Sequence, residues 1–248
     1  DGGKYANDET ILERAKTMIA EGADIIDIGA QSTRPGAIEI SEEEETKKLT
    51  NAIKIIRNIF PEILISADTY RAVTAKKAIE AGANIINDVS GGTMDEKMFE
   101  TVSKLKVPYI LMHMQGTPKT MQQNPHYNNV TQEIKLFFKT QLEKLNSIGI
   151  TQVIIDSGFG FGKTLEHNYT LLNELEEFQS LKVPLLVGVS RKSMVWKLLN
   201  TSADNALNGT SVVNTIALMK GAKILRVHDV KEAKEVVKII GKTVNNSQ

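Results

Sequence analysis

The residues with the most chemical promise lie far apart in this 248-residue chain but recur in one kind of place. Asp27, Asp68, Asn87 with Asp88, His113, Asp156, Arg191 with Lys192, and Arg226 with His228 and Asp229 each stand at or just past the end of a short apolar run. Together they suit a flat heterocycle. A carboxylate accepts two parallel hydrogen bonds from an amidine-like edge, Asn offers both donor and acceptor, and Lys donates to a ring carbonyl or nitrogen. Without partners these groups are costly to desolvate, so a ligand or water must satisfy them. Arg34, Arg226 and His228 add positive charge suited to a phosphate or diphosphate. For any one residue an internal salt bridge is the plain alternative, and Asp88 and Asp229 read as caps of loops and helices. The set as a whole carries the argument.

Two other motifs point away from common chemistries. Ser157-Gly158-Phe159-Gly160-Phe161-Gly162-Lys163-Thr164 falls short of the nucleotide loop G-x-x-x-x-G-K-[ST], because Ser157 stands where the first glycine is required. It reads instead as a flexible glycine loop whose aromatic rings line a pocket. Phe161 there would suit a flat aromatic co-substrate or simply be a core ring. The four histidines show no tight ligand spacing, which argues against a structural zinc site.

The elements that must position these residues repeat regularly. Candidate strands cover residues 23–30, 63–70, 83–90, 107–114, 152–159, 183–190 and 222–229, separated by segments of helical periodicity. Helix starts are signalled by Ser41-x-x-Glu44 and Asp229-x-x-Glu232. Helix ends fall at Gly22, Gly82, Gly149 and Gly221, each just before a strand. Strands apolar on both faces and alternating with helices predict a parallel sheet covered by helices, either doubly wound or closed. A doubly wound nucleotide fold would open on a glycine fingerprint, and Gly29-Ala30-Gln31-Ser32-Thr33-Arg34 is not one. The reading is therefore an α/β fold, a (β/α)8 TIM barrel forming one domain over residues 1–248, with its first strand expected before residue 1. In such a barrel the carboxyl ends of all strands share one face.

Composition is that of an ordinary globular chain, 41% hydrophobic and 24% charged. Thirty basic residues balance thirty acidic ones, so nothing in the global charge favours nucleic acid or an acidic membrane surface. There are no cysteines, which removes disulfides and thiolate chemistry and fits a cytoplasmic setting. No apolar run approaches the roughly 18 residues of a membrane span.

With these residues assembled, the chain resembles the dihydropteroate synthases, a pterin-binding barrel family, along nearly its whole length. The resemblance rests on DIGAQSTRPGA (27–37), ISADT (65–69), IINDVS (85–90), LMHMQGTPKTMQ (111–122), DSGFGFGK (156–163), VGVSRKSM (187–194) and RVHDV (226–230). It implies a transferase of folate biosynthesis that condenses 6-hydroxymethyl-7,8-dihydropterin diphosphate with p-aminobenzoate, assisted by Mg2+, in a cytoplasmic homodimer. By position in the matching motifs, Asp68, Asn87, Asp156 and Lys192 would hold the pterin, and Met112 and Gly188 would flank it. Arg226 and His228 would face the diphosphate, and Thr33, Arg34, Pro35, Phe161 and Ser193 would border the second substrate. Asp68, Asp156, Lys192 and Arg226 are the expected catalytic residues.

The chain also departs from the family pattern. Members carry an Asn-x-Thr-Pro-Asp-Ser-Phe-Ser stretch before the Asp-Gly-Gly with which this sequence opens, and its Asn contacts the metal. Ser157 replaces the usual Pro after the pterin-binding Asp, which removes a fixed backbone angle from that loop. Three rivals remain. A folate-dependent methyltransferase would share the Asp and Asn cradle but has no use for STRPG or VGVSRKS. A non-catalytic pterin binder would lack turnover, and a phosphate-binding isomerase should carry a glycine-rich anion site.

Overall fold

The computed structural model describes residues 7–32 and 39–245. Thr33, Arg34 and Pro35 lie outside the described residues. The elements follow as α1 (Asp8–Ala20), β1 (Ile25–Gly29), α2 (Glu42–Ile59), β2 (Leu64–Asp68), α3 (Ala72–Glu80), β3 (Ile85–Asp88), α4 (Met98–Leu105) and β4 (Tyr109–Met112). They continue with α5 (Val130–Ser147), β5 (Val153–Asp156), α6 (Leu165–Asn173), a 3-10 segment (Leu175–Leu181), β6 (Leu185–Val187), α7 (Ser193–Leu198), α8 (Leu207–Met219), β7 (Ile224–Leu225) and α9 (Val230–Asn245). The strand order is β1-β2-β3-β4-β5-β6-β7, chain order throughout. All seven expected strands are present, each shorter than its apolar run. Two compact units divide the chain, residues 1–112 with 141–153, and residues 113–140 with 154–248.

In the first unit β1 to β4 pair in parallel. The register sets Asp27 opposite Ser66, Gly29 opposite Asp68, Asp68 opposite Asn87 and Asn87 opposite Ile110. Because side chains alternate along a strand, Asp27, Ser66, Asp68 and Asn87 share one face of the sheet. Ile65, Ala67 and Ile86 occupy the other, and each is completely buried. Leu49 and Ile53 of α2 and Ala75 of α3 are also fully buried, so apolar helix faces cover that side. The Ser41 hydroxyl accepts from the Glu44 amide and starts α2, whose first turn is acidic throughout, complementing the helix dipole.

In the second unit β5 pairs with β6 and β6 with β7, setting Asp156 opposite Leu186 and Val187 opposite Leu225. Phe138, Leu175, Phe178 and Val187 form its fully buried core. The last strand is only two residues long against an apolar run of eight. The Arg226 amide still donates to Val187 O at 2.9 Å, but the His228 amide donates at 3.1 Å to the Ser190 hydroxyl. A side-chain acceptor thus replaces the ladder, and the chain leaves the sheet.

The glycines expected at helix ends behave as required. Gly22, Gly82, Gly149 and Gly221 have φ of 98°, 113°, 84° and 100°, a region that side chains with a Cβ rarely adopt.

Candidate active site

The first unit contributes a carboxylate and amide cluster at its strand ends. Asn87 is buried, and its Nδ2 donates to both oxygens of the exposed Asp27, at 3.2 and 3.3 Å. Its Oδ1 is buried without a hydrogen-bond partner, and so is the hydroxyl of Ser66 on the same face. Asp68 ends β2 between Gly29 and Asn87 and is partly exposed. A Cβ on Gly29 would lie 3.2 Å from that of Asp68, so this glycine leaves the carboxylate room. Met112 closes β4 at 1% exposure.

Asp88, next to Asn87, points to the opposite face and does different work. Its carboxylate accepts from the Ser90 amide (2.8 Å), the Ser90 hydroxyl (2.7 Å), the Gly92 amide (2.9 Å) and the Tyr109 hydroxyl (2.6 Å). Burial raises its pKa and these four donors oppose the rise. It is the loop-holding residue the sequence suggested.

The second unit contributes a cationic cluster built around the loop after β5. Asp156 is buried, and its Oδ1 accepts from the Gly158 amide at 2.8 Å. Gly158, Gly160 and Gly162 all have positive φ, which lets the chain fold tightly. The loop expected to be flexible is instead tied on several sides. Gln122 Nε2 donates to Gly160 O and the Tyr127 hydroxyl to Gly162 O, at 2.8 and 2.9 Å, while Asn168 Oδ1 accepts from the Gly160 amide at 2.8 Å. Glycine content predicted freedom, but side chains from α6 and from the segment before α5 supply the anchors that the loop lacks.

Lys192 rests on this loop. Its Nζ donates to Phe159 O at 2.5 Å and lies 4.8 Å from the centre of the Phe161 ring. Burial of the ammonium, opposed by Asp156 and reinforced by Arg226, lowers its pKa to about 8. Gly188 keeps the approach open, because a Cβ there would stand 3.7 Å from Arg226 Cβ and 3.9 Å from Lys192 Nζ. Arg226 and His228 follow β7 and are partly buried. His228 Nδ1 lies 3.0 Å from the Ser190 hydroxyl, and burial with nearby cations lowers its pKa to about 4. Ser193 is exposed at the start of α7. Within this unit, then, Phe161 and Gly188 lie close to Lys192, and the charges of Asp156 and Arg226 act on its ammonium.

Arg191 and Asp229 pair with each other, the guanidinium donating to both carboxylate oxygens at 2.8 Å. Arg191 also donates to the carbonyls of Ala203 and Asp204. This is the internal salt bridge held open as an alternative.

Two buried residues of the second unit were not singled out as site residues from the sequence. Lys163 is 4% and His113 8% exposed, and Lys163 Nζ lies 3.2 Å from His113 Nδ1. The lysine of a failed nucleotide-loop pattern gave no sign that it would be buried. His113 was visible only as one more polar residue at a strand end.

Among the described residues there is no group of three His, Asp, Glu or Cys side chains that could hold a metal ion. The donors present therefore do not form a magnesium site by themselves, although Mg2+ is often bound largely through substrate phosphates and water.

With this geometry in place, comparison with known proteins is informative. Residues 1–228 match the family described as pterin binding enzyme. The dihydropteroate synthase of Escherichia coli strain K12 is 42% identical over 247 residues, covering 99% of this chain and 87% of that protein. A solved Yersinia pestis dihydropteroate synthase with a sulfonamide drug superposes with a TM-score of 0.94 at 40% identity, covering 99% of this chain and 89% of the other. The Thermus thermophilus enzyme in complex with 4-aminobenzoate gives 0.86 at 38% identity, covering 92% and 87%. Seven parallel strands alternating with helices are thus those of an α/β barrel, and the chain belongs to the pterin-binding enzyme family, within its dihydropteroate synthase branch.

Proposed function

We propose that the protein condenses 6-hydroxymethyl-7,8-dihydropterin diphosphate with p-aminobenzoate, giving 7,8-dihydropteroate and diphosphate. The observation that carries this reading is the buried, partnerless Oδ1 of Asn87. A buried acceptor in that state loses its hydration with no return, and a pterin amino or ring N–H is the donor it lacks. Asp68 and Asp156 accept from the amidine-like edge of the ring, Lys192 donates to its carbonyl or nitrogen, and Met112 and Gly188 flank it. The whole chain serves as one barrel domain in this reading.

The reaction breaks the bond between the exocyclic methylene carbon and the diphosphate oxygen, then forms a carbon–nitrogen bond to the aromatic amine. That amine is neutral at pH 7, so no strong general base is needed, and the proton lost from the new amine goes to water. Arg226, His228 and Arg34 stabilise the departing negative charge, while Asp68 and Asp156 stabilise positive charge spreading into the pterin. Diphosphate departs before the amine attacks. Thr33, Pro35, Phe161 and Ser193 border p-aminobenzoate, the ligand named for the Thermus thermophilus structure. A magnesium ion would neutralise the diphosphate, while the side chains act on the substrates directly.

A cytoplasmic homodimer completes the proposal. Leu198 and Leu199 at the end of α7, and Val212 and Met219 of α8, are exposed apolar side chains suited to burial against a second copy. No helix among the described residues is long and apolar enough to cross a membrane.

Purified protein supplied with both substrates should convert p-aminobenzoate to dihydropteroate and release diphosphate. Asp68→Ala and Lys192→Ala should each lose pterin affinity and turnover. Pterin binding without turnover would favour a non-catalytic binder, and wild-type kinetics in both variants would refute the assignment.

A further inference from the structure

The proposed reaction leaves a buried lysine without a role. Lys163 sits at the end of the glycine loop at 4% exposure, where an ammonium is costly to desolvate. Its hydrogen-bond partners among the described residues include no carboxylate. Its Nζ donates to Gly158 O at 2.9 Å and Phe161 O at 3.0 Å, and the third contact is His113 Nδ1 at 3.2 Å. An ammonium has three N–H groups, and in this pocket it finds three acceptors.

We propose that Lys163 is a positioning residue, one that fixes the carbonyl of Phe159 and the ring of Phe161 and so sets the Lys192 ammonium against the pterin. This rests on the reading of Lys192 as a pterin-binding side chain. Gly158 and Phe161 are the two residues whose carbonyls bracket that of Phe159, the acceptor for Lys192 Nζ. The loop backbone runs through glycines at φ of 67°, 80° and 62°, where carbonyl directions are weakly set by local sterics. A single cation gripping two of these carbonyls removes that freedom.

The grip is itself anchored. The His113 ring packs edge-on against Phe137, with centroids 5.0 Å apart, and its amide donates to Asp156 O at 3.0 Å. Burial holds His113 neutral, so Nδ1 can accept from the ammonium. The same lysine therefore ties the strand end that carries Asp156 to the loop that carries Phe159 and Phe161.

The charge on Lys163 is finely balanced. Burial, with the repulsion of Lys192, brings its pKa to about 7 against the attraction of Asp156. A neutral amine retains two N–H donors for the carbonyls and offers its lone pair to His113, so the grip survives deprotonation with the imidazole proton moved to Nδ1.

The test is Lys163→Met in the full chain, which keeps an unbranched apolar stem and removes every donor. Loss of hydrogen bonds to a charged group predicts affinity for the pterin diphosphate about tenfold weaker or worse by titration calorimetry. The KM for p-aminobenzoate should rise less than the pterin affinity falls, because Phe161 is one of several residues bordering that substrate whereas Lys192 is set against the pterin, a split that a generally unfolded site would not show. Wild-type pterin affinity in a folded Lys163→Met protein overturns the inference and leaves the proposed reaction standing. Wild-type protein that fails to bind the pterin diphosphate overturns that reading and this inference with it. A second measurement needs no substitution. In lysine-labelled wild-type protein the Lys163 ammonium should give a slowly exchanging NMR signal, and pterin binding should shift it together with that of Lys192. A Lys163 signal that exchanges like surface lysines and ignores the ligand overturns the inference even where Lys163→Met does not fold.

Discussion

Asn87 directs its side-chain amide nitrogen at Asp27, 3.2 and 3.3 Å from the two carboxylate oxygens, and leaves its own carbonyl oxygen buried without a partner. The amide orientation is thereby fixed: donor toward Asp27, acceptor toward whatever occupies the shared sheet face. The register sets the Asp68 carboxylate beside Asn87 on that same face.

Asn87→Ala should therefore weaken binding of the pterin diphosphate by about tenfold or more, since a donor on the ligand loses its acceptor. Stability should change little more than expected for a small cavity, because Asp27 is exposed and water can replace the lost amide. Calorimetric titration and thermal unfolding of the same preparation separate the two effects. Unchanged affinity would remove Asn87 from the site.

The glycine loop makes a sharper steric prediction. Gly162 has φ of 62°, and a Cβ there would approach Gln115 O to 2.6 Å and Gln115 Cβ to 2.8 Å. Gly162→Ala must displace the loop or the segment after β4, costing about 1–3 kcal/mol of stability. Because Lys163 is the next residue, turnover should fall as well. Thermal unfolding with kcat/KM measured at one temperature checks both, and a variant as active and stable as wild type would contradict the tied loop.

Arg191 should behave as a structural residue despite adjoining Lys192. Its fork engages both oxygens of Asp229, and the carbonyls of Ala203 and Asp204 take the two donors of Nη1. Arg191→Ala should lower stability by about 1–3 kcal/mol after allowance for partial solvent exposure. Arg191→Lys should recover only part of this, since an ammonium cannot make the paired contact. A large rise in pterin KM at unchanged stability would show instead that Arg191 meets the ligand.

How much of this was legible in the sequence differs from residue to residue. The seven strands were, because each is a short apolar run set between helical segments, and at four of them the positive φ of Gly22, Gly82, Gly149 and Gly221 bears out the boundary. The separate fates of Asn87 and Asp88 follow from the alternation of a strand: neighbours in IINDVS must face opposite sides. The contacts of Asp229 were less legible, since its partner Arg191 lies 38 positions away and no local pattern links them. Lys163 was not legible at all. Its burial depends on His113 and on carbonyl directions within a loop that has no periodicity, and a glycine-rich composition signalled freedom where tertiary contacts impose order.

The last expectation concerns acid. His228 has a folded pKa of about 4, against an ordinary 6.5, because burial and the positive charge of Arg226 and Arg191 disfavour the imidazolium. Between those values the unfolded chain binds the proton and the folded chain resists it, so the contribution of His228 to stability is fully present above about pH 6.5 and is lost as pH falls through about 4. His228→Gln removes the group that must charge, so its stability should fall less steeply than that of wild type across this window, whatever the carboxylates contribute to both. The Ser190 hydroxyl oxygen accepts from the His228 amide and lies 3.0 Å from His228 Nδ1. A bound diphosphate favours the imidazolium, so the substrate should narrow the difference between the two proteins in acid. Denaturant unfolding from about pH 7 to about pH 4, with and without diphosphate, measures this directly. Parallel curves for wild type and His228→Gln would mean that His228 protonates as freely in the folded protein as in the unfolded chain.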